Sequence, residues 1–295
     1  MNERYIYALG VFDGVHRGHQ VLLEKCVELA KHHDCIPAVV TFNVHPESIV
    51  NGQAPVMLLS AQDRCIQLEK HGIKKVYTLC FDRQLRNMSW ADFFKMLRKD
   101  LAAAGLVCGD DFRFGSKGQG NAALLQQVCR EEDIPCVVVP EQTVDGVRVS
   151  STLIRQLIEQ GQMEDAVRFL GHPHSITGTV VEGRHLGRTI GIPTANLLIP
   201  EGVVTPKFGV YACRTVIDGK TYMAVTNVGN RPTVGGHRVT VEPWILDFDG
   251  DLYGRKLKLC FYKFLRPEKK FQSLDALQLE ILKNAEETRK FFENT

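Results

Sequence analysis

The sequence lacks the features that mark several whole classes of protein. No window approaches the roughly 18 consecutive apolar residues of a membrane-spanning helix, and the first residues lack the basic and apolar segments of a secretory signal. The nine cysteines are scattered, without one C-x-x-C pair. This distribution is typical of reduced, packed thiols rather than of a disulfide framework or a zinc site. We therefore expect a cytoplasmic protein without membrane contact.

The sequence also lacks a strong charge bias and the common nucleotide-binding fingerprints. A formal net charge of +2 does not favour nucleic acid as a partner, and nothing indicates an obligate protein partner. Glycines 115, 118 and 120 have the wrong spacings for a dinucleotide fingerprint. Gly219-Lys220-Thr221 resembles the end of a P-loop, but Arg214 occupies the position of that motif's first glycine. Alternating residues on both sides predict a hairpin turn at Asp218-Gly219 instead.

What the chain does contain is a regular alternation of patterns in its first half. For 295 residues, a prior of roughly 150 residues per domain gives two domains. Strand-like runs alternating with helical ones predict an α/β domain with a mostly parallel, Rossmann-like sheet. The predicted strands are 5–11, 37–42, 75–80, 105–108 and 135–139. The predicted helices are 18–32, 60–71, 90–104, 120–132, 151–160 and 163–170.

The pattern changes after residue 172, which we take as the domain boundary: residues 1–172 form the first domain and 173–295 the second. Short alternating strands separated by turn signals predict a small antiparallel β-barrel there. These strands are predicted at 176–182, 209–217, 221–228, 238–248 and 256–264. A C-terminal amphipathic helix is predicted to follow, with one apolar side made of Leu274, Leu277, Ile281, Leu282, Ala285, Phe291 and Phe292.

The run GVFDGVHRGHQ, residues 10–20, joins the first predicted strand to the first predicted helix. A helix that begins there directs unpaired N–H groups and the positive end of its dipole into the turn, which favours an anion. His16 and His19 are three residues apart and share one face of a first helical turn. Two imidazoles can hold phosphates and stabilise charge on a pentavalent phosphorus, and Gly18 lets a phosphate approach the backbone. An H-x-x-H metal pair is the alternative interpretation.

A second helix N-terminus that can bind an anion is predicted at Ser150-Ser151-Thr152-Leu153-Ile154-Arg155. A serine or threonine caps the helix, and Arg155 lies about one turn along it, able to reach the same anion. Capping alone also accounts for such a run. However, ligands of an open α/β sheet gather at the carboxyl ends of its strands, which favours one shared site for both helix starts.

These two motifs together resemble the nucleotidyltransferase superfamily. The stretch Gly109-Asp110-Asp111-Phe112-Arg113-Phe114-Gly115 narrows the resemblance to the FAD synthetase (FMN adenylyltransferase) module of bacterial bifunctional riboflavin kinase/FAD synthetases. Read without the family, that stretch is a strand end and a turn with packed phenylalanines. The resemblance implies that the FMN phosphate attacks the α-phosphorus of ATP directly, with Mg²⁺ bridging the triphosphate.

The resemblance also implies residue roles in this first module. His16 and His19 are its catalytic residues, because they neutralise the phosphates. The implied ligand-binding residues are Gly10, Phe12, Asp13, Gly14, Gly18, Asn43, His45, Asp111, Phe112, Arg113, Ser151, Thr152 and Arg155. One departure concerns Asn43-Val44-His45-Pro46, where the family often has Asp-Pro-His-Pro. Asn43 keeps an oxygen but loses the charge.

The second predicted domain contains a glycine-rich loop, residues 183–197, that can close over phosphates without side-chain obstruction. Thr194 and Asn196 lie two residues apart near the end of this loop, so that both point the same way on an extended segment. Their oxygens, with nucleotide phosphates, can hold Mg²⁺. Glu242 lies on an alternating strand and is a credible base for an alcohol nucleophile. The alternatives are an ordinary polar edge for the pair and, since Pro243 suggests an edge strand, a solvated glutamate.

These residues resemble the riboflavin kinase module, in which a Pro-Thr-Ala-Asn motif binds ATP and Mg²⁺ and a glutamate activates the ribityl 5′-hydroxyl. The resemblance makes Glu242 catalytic and Thr194 and Asn196 the metal ligands. The implied ligand-binding residues are Gly187, Arg188, Gly191, Pro193, Thr194, Asn196, Asn227 and Arg266. The family's frequent aspartate in the last helix is absent; Lys283-Asn284 stands near its position.

The resemblance spans residues 5 to 292 and implies a two-step enzyme of flavin cofactor biosynthesis. Riboflavin is phosphorylated by ATP to FMN, and FMN is then adenylylated by a second ATP to FAD with release of pyrophosphate. ATP is thus a co-substrate, and Mg²⁺ is the implied cofactor. Two alternatives stay open: one module is inactive, the kinase being the better preserved, or the chain is a flavin-binding carrier or regulator.

Overall fold

The structure is a computed structural model that describes residues 3–50, 52, 55–183, 187, 191–233 and 236–294, and the side chains of residues 49, 50 and 231–238 are outside this description. The chain divides into two compact units. The first comprises Met1–Met57 and Ala61–Ser151, and the second comprises Leu58–Ser60 and Thr152–Thr295.

The first unit is built on a five-stranded parallel sheet with strand order β3-β2-β1-β4-β7. Its strands are β1 Tyr5–Leu9, β2 Ile36–Phe42, β3 Lys75–Leu79, β4 Ala103–Gly109 and β7 Cys136–Val139. Two small antiparallel pairs lie outside it: β5 Arg113–Phe114 with β6 Gly120–Asn121, and β8 Thr143–Val144 with β9 Val147–Arg148. The α/β prediction is confirmed.

Helices cover both faces of this sheet. They are α1 Arg17–His32, α2 Pro46–Val50, α3 Ala61–Lys70, α4 Arg83–Asn87, α5 Trp90–Lys95 and α6 Ala122–Glu131. Alternate residues of β1 belong to different cores, because successive strand residues point to opposite faces. Tyr7 packs with Leu106 on one face, and Ile6 packs with Leu23 on the other. Burial on both faces explains why every residue of β1 is buried.

One predicted helix of the first unit is too long at its C-terminal end. The interval 90–104 is helical only over Trp90–Lys95, continues as a π-helical turn over Met96–Asp100, and then becomes strand β4. The apolar spacing of Phe93, Phe94 and Leu97 suits a helix, and all three are buried. However, Ala102 adopts the left-handed region (φ 51°), which ends the helix before the next strand.

The second unit begins with helices and continues as a closed antiparallel barrel. The helices are α7 Ser151–Gln160, which starts at the division, and α8 Met163–Leu170. The strands are β10 His174–Val181, β11 Asn196–Leu198, β12 Gly209–Ile217, β13 Lys220–Thr233, β14 Gly236–Ile245 and β15 Lys256–Arg266. Their order around the barrel is β10-β11-β14-β13-β12-β15. The barrel prediction is confirmed, although the short strand β11 was not predicted.

Two local features of this unit follow from its sequence. Asp218 and Gly219 both have positive φ (50° and 80°) between the paired residues Ile217 and Lys220, so the predicted hairpin turn is confirmed. Helix α9, Leu274–Glu293, begins at the Ser273 cap, whose hydroxyl accepts a hydrogen bond from the Ala276 N–H at 3.2 Å.

Helix α9 buries Ala285 and Phe292 but leaves Leu274 and Leu282 about half exposed. The predicted apolar side is therefore too wide. A helix that packs on a barrel of this size buries only a narrow stripe.

Candidate active sites

The turn that follows β1 has an unusual backbone. Phe12 and Val15 have positive φ values of 55° and 43°, beside Gly14 at 76°. Such a conformation costs of order 1–3 kcal/mol for each non-glycine residue and persists only where the surroundings hold it. The Thr41 hydroxyl donates to the Val11 carbonyl at 3.0 Å, and the Gln20 amide donates to the Val15 carbonyl at 2.9 Å.

The turn delivers two stacked histidines at the start of α1. His16 is the N-cap of the helix, and its Nδ1 accepts from the His19 N–H at 3.4 Å. The two rings lie 3.7 Å apart between centroids, with 13° between their planes. A Cβ on Gly18 would lie 3.3 Å from the His16 ring, so the glycine gives this ring its room. The histidines therefore share one face, as expected, although His16 precedes the helix instead of lying in its first turn.

The two histidines differ in their electrostatics. Burial, the neighbouring His16 and the nearby Arg64 all lower the pKa of His19 well below its usual value. The His19 Nδ1 is buried and has no hydrogen-bond partner in the described part of the chain. His19 is therefore a neutral imidazole at physiological pH, and one of its ring nitrogens is not used by the fold.

A cavity of about 390 Å³ opens beside these rings, at the carboxyl ends of the strands. Its wall includes residues at or just beyond the ends of β1, β2, β4 and β7, where ligands of open α/β sheets bind. The predicted site residues that line it are Gly10, His16, Gly18, His19, Asp111, Phe112, Arg113 and Ser151. The structure thus brings together the three motifs on which the prediction rests.

Several predicted residues of the first module lie elsewhere. Phe12 and Asp13 are buried beneath the cavity, and the Asp13 carbonyl accepts from the Ser151 hydroxyl at 3.1 Å. Gly14 lies in the strained turn and is also buried. Thr152 and Arg155 belong to the second unit, where Arg155 Nη1 lies 3.5 Å from Thr152 Oγ1.

The Asn43 and His45 side chains make local contacts. Asn43 Oδ1 accepts from the Phe81 N–H at 2.9 Å and so ties the end of β2 to the segment after β3. His45 Nδ1 accepts from the Glu47 N–H at 3.3 Å at the start of α2. In this chain, the oxygen that Asn43 keeps is used as a backbone link.

Sequence reasoning missed Arg148 and Glu141 in the cavity wall. Arg148 Nη2 lies 3.0 Å from Asp111 Oδ2 and 2.7 Å from Glu141 Oε1. This bridge connects the β8–β9 hairpin to the Gly109–Gly115 motif. Its signal in the sequence is weak, because Arg148 is separated from Asp111 by 37 positions.

A second cavity in this unit, of about 550 Å³, shares Phe42, Pro46, Phe112 and Arg113 with the first. Its wall is rich in aromatic rings, since Phe81, Phe93 and Phe114 also line it. The Phe112 and Phe114 rings stack, with centroids 5.7 Å apart and 17° between their planes. A polar cavity and an aromatic one therefore adjoin at the edge of the sheet.

In the second unit, Thr194 and Asn196 lie against glycine backbone. A Cβ on Gly187 would lie 3.4 Å from Thr194 Oγ1, and a Cβ on Gly183 would collide with the Asn196 side chain. The Ala195 N–H, between them, donates to the Pro243 carbonyl of β14 at 2.9 Å. The two polar side chains are thus held in a cradle that larger residues would fill.

A cavity of about 390 Å³ adjoins this cradle and contains most of the predicted kinase site. Gly187, Thr194, Asn196, Asn227, Glu242 and Arg266 line it. Asn227 and Glu242 are direct partners across β13 and β14, so their side chains share one face of the barrel. The same cavity also has an apolar wall, which is formed by Trp244, Phe271, Leu277 and Ile281.

A further cavity of about 560 Å³ shares Thr194 with this one. Gly191 and Pro193 line it, together with Phe248, Asp249 and Tyr253. Thr194 therefore lies where two cavities of the barrel unit meet. Arg188, the remaining predicted binding residue, lies outside the described residues.

Sequence reasoning assigned no role to Asn284 of α9. It is 3% exposed, lines the same cavity as Thr194 and Glu242, and its Oδ1 accepts from Arg266 Nε at 3.0 Å. Glu280 Oε1 lies 3.4 Å from the same nitrogen. Burial lowers the pKa of Arg266, while Glu280 opposes that effect. The helix thus holds the arginine at the cavity through a neutral amide and a nearby carboxylate.

Two protein-family models match the two halves of the chain. The model described as FAD synthetase matches residues 1–153, and the model described as riboflavin kinase matches residues 170–292. The chain belongs to the bifunctional riboflavin kinase/FMN adenylyltransferase family. It is therefore an enzyme of flavin biosynthesis with both a kinase and a nucleotidyltransferase domain, as its motifs predict.

Relatives in this family match nearly the full length of the chain. The bifunctional enzyme of Listeria monocytogenes is 33% identical over 97% of this chain and 92% of its own length. That of Escherichia coli K12 is 36% identical over 98% of this chain and 93% of its own. A Streptococcus pneumoniae crystal structure, described as a macrolide-efflux protein, superimposes with a TM-score of 0.90 at 32% identity, covering 98% of this chain and 95% of that one.

The described residues contain no group of three or more histidine, cysteine, aspartate or glutamate side chains arranged to hold a metal ion. Within the same ranges, no helix combines the length and the apolarity that crossing a bilayer requires.

Proposed function

We propose that the polar cavity beside His16 and His19 transfers the adenylyl group of ATP to FMN. Support comes from the chemistry of its wall: a helix N-terminus, two stacked imidazoles, the Ser151 hydroxyl and the glycine backbone of Gly10 and Gly18. Such groups stabilise phosphate charge without a general base. An FMN phosphate oxygen attacks the α-phosphorus of ATP, and pyrophosphate leaves from the opposite side. Ser151, in the wall of the same cavity, holds the triphosphate.

The two histidines act differently in this step. His19, which is neutral, donates one hydrogen bond from its ring to a phosphate oxygen. His16 caps α1 and stacks its ring on that of His19 at the cavity wall. The adjoining aromatic cavity suits the planar isoalloxazine ring of FMN, because stacked phenylalanines bind flat rings.

In the barrel unit, we propose that riboflavin occupies the cavity with the Trp244 and Phe271 wall and that ATP occupies the cavity lined by Gly191 and Pro193. Thr194 borders both, so the γ-phosphate crosses at that residue. Glu242 accepts the proton of the ribityl 5′-hydroxyl as its oxygen attacks the γ-phosphorus, and ADP leaves. Asn227 and Arg266 orient the reacting groups.

Mg²⁺ fits the cradle formed by Thr194 and Asn196. A hydroxyl and an amide oxygen are hard, neutral ligands, and Mg²⁺ normally completes its coordination with phosphates and water rather than with a full protein cage. When bound, the ion supplies charge neutralisation on the phosphates.

The adenylyltransferase domain spans residues 1–172 and the kinase domain residues 173–295 in this proposal. The ranges matched by the two family models leave most of α7 and α8 between them. A cytoplasmic location also remains our proposal.

The observation that carries the proposal is the presence of two chemically distinct polar sites, one in each unit. Two ATP analogues test it with the unmodified protein. α,β-Methylene ATP cannot release pyrophosphate but can transfer its γ-phosphoryl group, whereas β,γ-methylene ATP has the reverse limitation. With Mg²⁺, the first analogue is expected to convert riboflavin to FMN only, and the second to convert added FMN to FAD but to leave riboflavin unchanged. FMN formed from riboflavin with the β,γ analogue would contradict the proposal.

A further inference from the structure

Arg64 is a buried cation beneath the first site that neither the motifs nor the reaction scheme uses. It lies on α3 and is 5% exposed. Its Nη1 donates to the Val11 carbonyl and its Nη2 to the Phe42 carbonyl, both at 3.1 Å. Val11 follows β1, and Phe42 ends β2. One guanidinium thus ties together the carboxyl ends of two adjacent parallel strands, at the edge of the sheet where the cavity opens.

The Val11 carbonyl lies at the start of the strained turn. Phe12, Gly14 and Val15, which follow it, have left-handed backbones. The Thr41 hydroxyl shares this carbonyl with Arg64. Because a strained turn keeps its shape only where the surroundings over-determine it, two donors on one carbonyl are a physical reason for this turn to persist. The turn in turn sets where His16 caps α1 and stacks on His19.

Arg64 also acts on the site through its charge. Burial lowers the pKa of Arg64, while Asp13 opposes that effect, and the guanidinium remains charged. That charge is one of the causes that lower the pKa of His19, after burial and the neighbouring His16. A fixed positive charge in this position disfavours a second one on the His19 ring.

We propose that Arg64 is a positioning residue for adenylyl transfer: its guanidinium fixes the Val11–Val15 turn and thereby the stacked pair of His16 and His19. The inference rests on the proposed location of adenylyl transfer in this cavity. The proposal gives separate effects to two properties of the Arg64 side chain. The two-pronged hydrogen bonding fixes the turn, and the charge adds to the effects of burial and of His16, which together lower the pKa of His19.

Two substitutions in the full-length protein test these properties. Arg64→Lys keeps the charge but cannot reach both carbonyls with the same fork, and Arg64→Met removes both properties. Gln67→Leu is the control, since Gln67 is also buried and lies one turn along the same helix. The readouts are kcat and KM for conversion of FMN to FAD, the pH profile of kcat/KM, and the kinase reaction as a measure of intact protein.

We expect Arg64→Met to lower kcat for FAD formation by about 10²-fold, since a displacement near 1 Å in a site costs about that much. Its KM for ATP and its kinase rate stay within about threefold of the unmodified protein. The acid limb of the pH profile of kcat/KM of Arg64→Met moves to higher pH, because His19 then takes up a proton more easily. Arg64→Lys loses kcat as well but keeps the original acid limb, and Gln67→Leu changes neither.

Equal losses in Arg64→Met and Gln67→Leu with unshifted pH profiles would overturn the proposal, because a general packing defect would explain both. Normal FAD formation in Arg64→Met would overturn it too. If instead changing His16 and His19 left FAD formation intact, the location of the reaction would be wrong, which is a separate failure. The two cases are distinguishable, since the histidine variants test the site and the Arg64 variants test its support.

Discussion

His16 and His19 stack face to face, with ring centroids 3.7 Å apart and 13° between the planes. Two positive charges near that separation repel by about 4 kcal/mol at an effective dielectric constant of about 20, so the pair does not carry two charges at neutral pH. Burial, the neighbouring His16 and Arg64 all lower the pKa of His19, so this ring stays neutral. The motif therefore supplies a neutral imidazole donor at His19.

The lowered pKa of His19 predicts a pH dependence of stability. Below the ordinary histidine pKa of about 6.5, the unfolded chain binds a proton at this residue that the folded protein does not. The free energy of unfolding therefore falls as the pH decreases below about 6.5, by at most about 1.4 kcal/mol per pH unit for this group. Urea unfolding at pH 7.5 and 5.5 measures the fall, and His19→Gln is expected to reduce it. His71→Gln is the comparison, because burial also lowers the pKa of His71.

Replacing both stacked histidines is predicted to separate the two activities. The double variant His16→Ala, His19→Ala loses phosphate stabilisation in the first unit, and FAD formation from FMN is expected to drop by at least about 10³-fold. FMN formation from riboflavin continues at its normal rate. Chromatography of both reactions measures the effect; loss of the kinase reaction in a folded double variant would contradict independent sites.

Glu242→Gln is predicted to have the opposite effect. The amide keeps the size of the side chain and its position beside Asn227, but it cannot accept the proton of the riboflavin hydroxyl. We expect FMN formation to fall by about 10²-fold to 10⁴-fold, while added FMN is still converted to FAD. Glu268→Gln serves as the matched control, since this glutamate lines the same cavity and has no assigned role. Similar losses in both variants would argue against Glu242 as the base.

Asn284 is predicted to support the kinase site through Arg266. Asn284→Leu removes the acceptor of the Arg266 Nε hydrogen bond in a buried position, which is expected to cost about 2 kcal/mol of unfolding free energy. The KM for riboflavin rises because Arg266 loses its support. Asn284→Asp keeps an acceptor and is expected to restore both quantities, and the exposed neighbour Lys283→Ala changes neither. Denaturant unfolding and initial rates measure the two effects.

Local patterns predicted most of the elements of this fold because their causes are local. Alternation around β1 and the Asp218-Gly219 turn are set by residues within a few positions, and both agree with the structure. The helix predicted over 90–104 ends early for a different reason: β4 begins at Ala103, which pairs with Tyr5 of β1, 98 positions away, and that pairing overrides a helical apolar spacing. The strand β11 was missed because three residues are too short to carry a pattern.

The candidate sites divide in the same way. His16, Thr194 and Glu242 stand in motifs that can be read from the sequence, and they line cavities. Arg64 and Asn284 cannot be found in this way, since their partners Val11 and Arg266 lie 53 and 18 positions away. A buried polar residue takes its role from what the fold brings to it, and that information is absent from any short stretch.

The most direct test of the account is a time course with one purified protein. Riboflavin, excess ATP and Mg²⁺ are supplied together, and riboflavin, FMN and FAD are followed by chromatography. The account predicts that FMN rises first and then declines as FAD appears, because each unit carries one of the two steps. FMN that accumulates without FAD would contradict an active first site, and tight flavin binding without any product would contradict the account as a whole.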